Sequence, residues 1–204
     1  MRKKSHISLA KHIVHISDMQ EFNRHKKAFY VGSILPDCKP SFLTKRHEIT
    51  ETFDLMTSGI EKLVYGYDNA DDLSTMYFTR LGEVVHYVAD YFTFPHNKEY
   101  TGSIKEHCIY EGELKHKLRT YIKNITNKDI AIWENRMRLQ ELEKFQCIED
   151  ICKFIHIEHE YYISRKIHCI EEDCKYIVEI CSWVAMAILN LCVSQFSETH
   201  HRVA

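Results

Sequence analysis

Six glycines and three prolines in a chain of 204 residues leave little material for hairpin turns, while helical periodicity recurs throughout. An all-α fold is the expectation. Neither a GxxxxGK[ST] nor a GxGxxG pattern occurs, which excludes the common glycine-built phosphate cradles. The cysteines, although there are eight, form no CxxC pair. Charge is nearly balanced, Lys+Arg 27 against Asp+Glu 29 for a net −2, so there is no overall electrostatic footprint for duplex nucleic acid or an anionic membrane. The longest apolar stretch, 177–193, is interrupted by Glu179, Ser182 and Asn190. It reads as a buried central helix and not as a transmembrane segment. The start, Met1-Arg-Lys-Lys4, is basic like a signal n-region, but Lys11, His12 and His15 break the apolar run that must follow. The expectation is therefore a cytoplasmic protein with reduced thiols, forming one domain over residues 1–204.

Periodicity and capping signals place the elements. A first helix is expected over Ser5 to Ile16, and Asp18 with Glu21 reads as the capping box of a second that ends near Gly32. Pro36 and Pro40 make 33–40 a loop carrying Asp37. A third helix is expected from Thr44 to Tyr65, with His47 in its first turn, and Asp71 or Asp72 should cap a helix running through Gly82 to Tyr91. Pro95 fixes a turn that delivers His96, and Ser103-Ile-Lys-Glu106 is a capping box for the helix after it. Helices over 128–144, 148–163 and 170–197 complete the bundle.

What the chain has in abundance is histidine, fourteen of them. Two pairs share one spacing, His86-Tyr-Val-Ala-Asp90 and His107-Cys-Ile-Tyr-Glu111, with His96 between them. On a helix, positions i and i+4 lie on one face, so each pair offers an imidazole and a carboxylate to one ion. A zinc cluster for hydrolysis needs such ligands from several helices and an open position for water. The candidates in chain order are His6, Asp37, His47, His86, Asp90, His96, His107 and Glu111. A lone HxxxD arises readily by chance on an amphipathic helix; the ordered series is far more specific.

That series resembles the zinc-dependent phospholipase C family, to which the zinc-dependent single-strand-specific nucleases are related. The likeness runs from Ser5-His6-Ile-Ser-Leu-Ala10, through Leu35-Pro-Asp37 and the Leu81 to Asp90 helix with Phe94-Pro-His96, to Glu111. It implies an all-α bundle with a trinuclear zinc site in a cleft. Asp37, His47, His86 and Asp90 would hold one Zn²⁺, and His96, His107 and Glu111 a second. Asp90 would bridge to a third, also bound by His6. Asp37 would in addition orient or deprotonate the attacking water, as the catalytic residue of phosphodiester hydrolysis. In exported members an N-terminal tryptophan supplies its amino and carbonyl groups to the third metal; here the tryptophans are Trp133 and Trp183. That place is left to the Met1 amino group, another side chain or water. In phosphatidylcholine-preferring members aromatic residues of the choline site occupy the positions held here by Cys38 and Thr44.

The implied partner is a phosphodiester substrate, either a phospholipid or a soluble one. A rival reading is a nuclease or nucleotidase on single-stranded nucleic acid, for which Lys39, Lys45, Arg46 and Lys98 would form the basic groove. Another is a non-catalytic metal-binding helical module. His12, His15, His25 and His116 read as surface or packing residues. The group His156, His159, His168 and the cysteines near them fits no common zinc spacing. The aromatics Tyr87, Tyr91, Phe92 and Phe94 fit either a cleft wall or the core.

Overall fold

A computed structural model describes residues 1–17, 19–39, 46–67, 73–136, 142–165 and 168–202. Eight α-helices span α1 Lys3–Ser17, α2 Gln20–Gly32, α3 Ile49–Val64, α4 Thr75–Tyr91, α5 Ile104–Asn124, α6 Asn127–Arg136, α7 Ile148–Ser164 and α8 Ile170–Arg202. Short 3₁₀ turns sit at Pro36–Cys38, Phe94–His96 and Leu142–Lys144, and the described residues contain no strand.

The long helix α8 is the axis of the bundle. It packs against α1, α3, α4, α5 and α7, burying Ile177, Cys181, Val184, Ala185 and Ile188 completely. By length and composition 170–195 is apolar enough to cross a membrane, yet 78% of its most apolar window is buried inside the fold. Its hydrophobicity is therefore accounted for by neighbouring helices.

Helix α4 is the second core element, packed against α2, α3 and α8. Its crossing with α2 is unusually close: a Cβ on Gly82 would lie 2.5 Å from the Phe29 carbonyl oxygen, and one on Gly32 would lie 2.0 Å from that of Thr79. Glycine at both positions lets the two backbones touch. Directly beyond this crossing, α4 presents His86 and Asp90.

Several boundaries differ from those the sequence suggests. His47 lies outside α3, because the helix begins at Ile49 with Glu48 as its N-cap in extended conformation. The Glu51 carboxylate accepts a hydrogen bond from the Arg46 N–H at 2.9 Å, holding the chain extended through His47. Of the expected helix over 128–144 the described residues show α6 up to Arg136 and, at the far end, 142–144 as a 3₁₀ turn. Ser74 is the N-cap of α4. The readings at Asp18, Pro40, Thr44, Lys45, Asp71 and Asp72 lie outside the described residues. The Ser103 to Glu106 capping box is present with both of its bonds.

Candidate metal centre

Three elements build a first, largely buried group of ligand atoms. The Pro36–Cys38 turn brings Asp37, the extended stretch before α3 brings His47, and α4 brings His86 and Asp90. One ligand atom from each of these four lies within 4.8 Å of the others, and His96, His107 and Glu111 form a second group by the same measure. Asp90 joins the two. Its Oδ2 is 2.9 Å from His47 Nδ1, 3.2 Å from His86 Nε2 and 3.8 Å from His96 Nδ1.

The His86 ring is held by its far nitrogen, since Nδ1 lies 2.9 Å from the Ser33 carbonyl oxygen. That carbonyl accepts only from an N–H, so Nδ1 carries a proton and Nε2 is the nitrogen that faces the cluster. There it meets Asp37 Oδ1 at 3.6 Å and Asp90 Oδ2 at 3.2 Å, both acceptors. Acceptors converging in a buried place require a positive charge between them.

The amino terminus supplies one. The Met1 ammonium is fully buried, 2.6 Å from Asp90 Oδ1, 3.3 Å from Glu111 Oε1 and 3.0 Å from His96 Nε2. Burial alone would lower its pKa, but the charges of Asp90 and Glu111 hold it above the ordinary value. Burial would likewise raise Asp90, yet the Met1 ammonium and then His96 and His86 hold its carboxyl well below the carboxylate range. Glu111 is also lowered: hydrogen bonds from His107 and His96 and the Met1 charge outweigh burial. Asp37 goes the other way, raised chiefly by burial.

His6 stacks on His86 with ring centroids 4.0 Å apart, and its Nε2 is 3.4 Å from Asp90 Oδ1. Both its ring nitrogens are buried without a hydrogen-bond partner. Burial, and next the neighbouring His86, push its pKa down to about 3, so the ring is neutral with a lone pair available. Orphaned donor atoms of this kind, beside a carboxylate-rich cluster, fit a divalent nitrogen- and oxygen-seeking cation such as zinc.

The sequence did not reveal what holds the second group in place. Asp173, at the start of α8, is buried and accepts from the Phe94 N–H at 3.0 Å, the Tyr110 hydroxyl at 2.8 Å and the Tyr162 hydroxyl at 2.7 Å. These bonds tie the turn carrying His96 to α5 beside Glu111. Asn97 adds two bonds back to the carbonyls of Tyr91 and Thr93, and its own Oδ1 is 2.7 Å from His159 Nε2. No local pattern marks the Asp173 clamp, because Phe94 and Tyr110 lie 79 and 63 residues from it in sequence.

Other histidines take the packing roles expected of them: His12 is buried, His25 stacks on Phe78, and His116 is exposed. His156 and His168 lie against Phe53 and Phe94, and neither joins a ligand group among the described residues. Tyr91 and Phe92 are core residues. Tyr87 meets the His47 ring edge-on and lines a groove of about 400 Å³ with Lys39, Lys62 and Arg80.

Comparison with known proteins yields one match. A family model described as zinc dependent phospholipase C covers residues 5–172. No curated protein and no solved structure matches the chain.

Proposed function

The chain belongs to the zinc-dependent phospholipase C family, and on that premise we propose that it is a phosphodiesterase working at the cluster around Asp90. The observation that carries this reading is the convergence of ligand atoms around Asp90, with the His86 ring fixed by Ser33 so that Nε2 points inward. Asp37, His47, His86 and Asp90 would hold one zinc, and His96, His107 and Glu111 a second. A third would lie between His6 and Asp90, with the Met1 amino group as a further ligand once deprotonated.

Bound zinc supplies Lewis acidity, lowering the pKa of water and polarising the phosphoryl oxygens. The residues do the rest. Asp37 Oδ1, at the edge of the cluster, orients a water and takes its proton as the oxygen attacks phosphorus in line. The phosphorus–oxygen bond opposite breaks, and the departing alkoxide is protonated to the alcohol. The groove at Tyr87, with Lys39, Lys62 and Arg80 in its lining, is where the rest of an anionic substrate would run.

The basic groove that a nuclease requires finds less support. Lys39 is paired with Glu83 at 2.9 Å and Arg46 with Glu48 at 3.3 Å, leaving little unpaired charge for a nucleic-acid backbone.

Two ligand groups predict two or more zinc ions per chain after metal-free purification and reconstitution, measured by elemental analysis. Hydrolysis of bis-p-nitrophenyl phosphate should appear with zinc and vanish with a chelator. Fewer than one tightly bound ion per chain would overturn the ligand assignment. Full metal content without hydrolysis of any phosphodiester would leave a metal-binding module in its place.

A further inference from the structure

Away from the metal centre, α1, α5, α6 and α8 border a half-open cavity of about 430 Å³. His12, Tyr121, Trp133, Glu179 and Ser182 line it, together with isoleucine and valine side chains. The volume falls within the range of small-molecule sites.

The polar groups of this lining are uncommitted. Ser182 Oγ is buried without a hydrogen-bond partner, although a mid-helix serine ordinarily bonds back to its own helix. Glu179 is half-buried and forms no ion pair among the described residues, and the His12 ring and Tyr121 hydroxyl make no hydrogen bond among them. A buried polar group left unpaired costs about 1–3 kcal/mol, so Ser182 Oγ marks a missing partner in this lining.

Charge and shape say what that partner is. No lysine or arginine lines the cavity among the described residues, and burial followed by the nearby His15 lowers the His12 pKa to about 4, leaving that ring uncharged near neutrality. The other acid in the lining, Asp129, is already engaged in capping α6 through the Thr126 N–H and hydroxyl. The Glu179 carboxylate is thus uncompensated, and with burial it raises the pKa of Glu158 on the adjacent α7. Trp133 and Tyr121 line the same pocket, and Glu179 is near enough to Tyr121 to add to burial in raising its pKa. A carboxylate next to indole and phenol rings is the setting in which an organic cation gains both ion pairing and cation–π attraction. We propose that this cavity is a second ligand site, for a small organic ammonium whose nitrogen faces Glu179, whose apolar body packs on Trp133, and whose polar group bonds Ser182 Oγ.

The proposal is independent of the hydrolase reading, and the chain carries its own reporter for it. Trp133 is in the lining, and the other tryptophan, Trp183, has its ring centroid 5.9 Å from that of Trp133. The full zinc-loaded chain would be titrated with benzyltrimethylammonium, with neutral N,N-dimethylbenzamide and with anionic phenylmethanesulfonate, following tryptophan fluorescence. The ammonium should give a saturable change with an affinity at least about tenfold above that of either analogue. Glu179→Gln should weaken the ammonium by about tenfold, leave the neutral analogue unchanged, and leave hydrolysis of bis-p-nitrophenyl phosphate as it was. The side chain is half-buried with no ion pair to break, so the variant should fold, which its circular dichroism melt would check. Equal affinity for the ammonium and the neutral compound, or an unchanged affinity in Glu179→Gln, would overturn the proposal. So would tighter binding of the sulfonate, which would assign the ligand to the adjoining groove of Lys11, Arg119 and Lys123.

Discussion

Asp90 concentrates the problem of the site in one side chain. Fully buried, it lies within 4 Å of His6, His47, His86, His96 and the Met1 ammonium. Replacing it by asparagine removes the charge that all of them face. Without metal, the buried Met1 ammonium then loses a salt-bridge partner, and breaking such a pair costs about 3–5 kcal/mol. With metal, the carboxylate that the first and third sites would share is lost. Asp90→Asn should therefore bind zinc at least about tenfold more weakly and lose most hydrolytic activity, because a carboxylate ligand is charged and an amide is not. His116→Ala, altering an exposed side chain outside either group, should match the parent in both. Chelator competition and the bis-p-nitrophenyl phosphate assay would check this; equal effects in the two variants would show the ligand map to be wrong. At this scale the sequence was informative, since spacing alone brought out His86, Asp90, His107 and Glu111. The carbonyl of Ser33 was not legible, because a backbone atom leaves no mark in the pattern.

Among the elements, legibility followed the range of the interactions. The capping box of α5 is local, Ser103 and Glu106 three residues apart, and the structure contains it. His47 was misplaced onto a helix because the bond that keeps it extended, from Arg46 to Glu51, competes with a helical pattern that periodicity alone cannot arbitrate. The clamp at Asp173 was invisible for the opposite reason: its partners Phe94, Tyr110 and Tyr162 come from three different elements. Burial raises the Asp173 pKa to about 6, against the three hydrogen bonds that favour its charged form. The sign follows from linkage. The folded pKa lies above the unfolded one, so the protonated acid's contribution is fully present below the unfolded value of 3.8 and is lost as pH rises through about 6. At neutral pH the fold bears the buried charge, which costs on the order of 3 kcal/mol. Asp173→Asn lacks this titration. The stability of the parent relative to Asp173→Asn should therefore fall between pH 4 and 6 and level off above it, as followed by denaturant unfolding of the metal-free proteins. A difference that rises over the same range would show that the three hydrogen bonds outweigh burial.

For the molecule as a whole, the fold places a long apolar helix inside and leaves the cluster near the surface at the ends of α4 and α5, reached through loops and the first residues of α1. Nothing in the net charge of −2 draws the protein to an anionic surface. Substrate choice therefore falls to the walls of the site. Choline is usually held against aromatic faces, and here two of the four neighbouring aromatics, Tyr91 and Phe92, are enclosed in the core. Cys38, exposed beside Asp37, offers no ring in their place; Thr44 lies outside the described residues. The groove at Tyr87 instead contains Lys62, Arg80 and the Lys39–Glu83 pair, a lining of net positive charge suited to phosphate oxygens and unfavourable to a quaternary ammonium. The protein should hydrolyse simple phosphodiesters at least as readily as phosphatidylcholine. A panel of bis-p-nitrophenyl phosphate, phosphatidylcholine, phosphatidylglycerol and single-stranded DNA, compared by kcat/KM at fixed zinc, would decide. The expected order places the soluble diester at or above both lipids, with phosphatidylcholine showing no advantage over phosphatidylglycerol. Selective turnover of phosphatidylcholine by more than about tenfold would mean that other residues rebuild an aromatic choline site beside the metals.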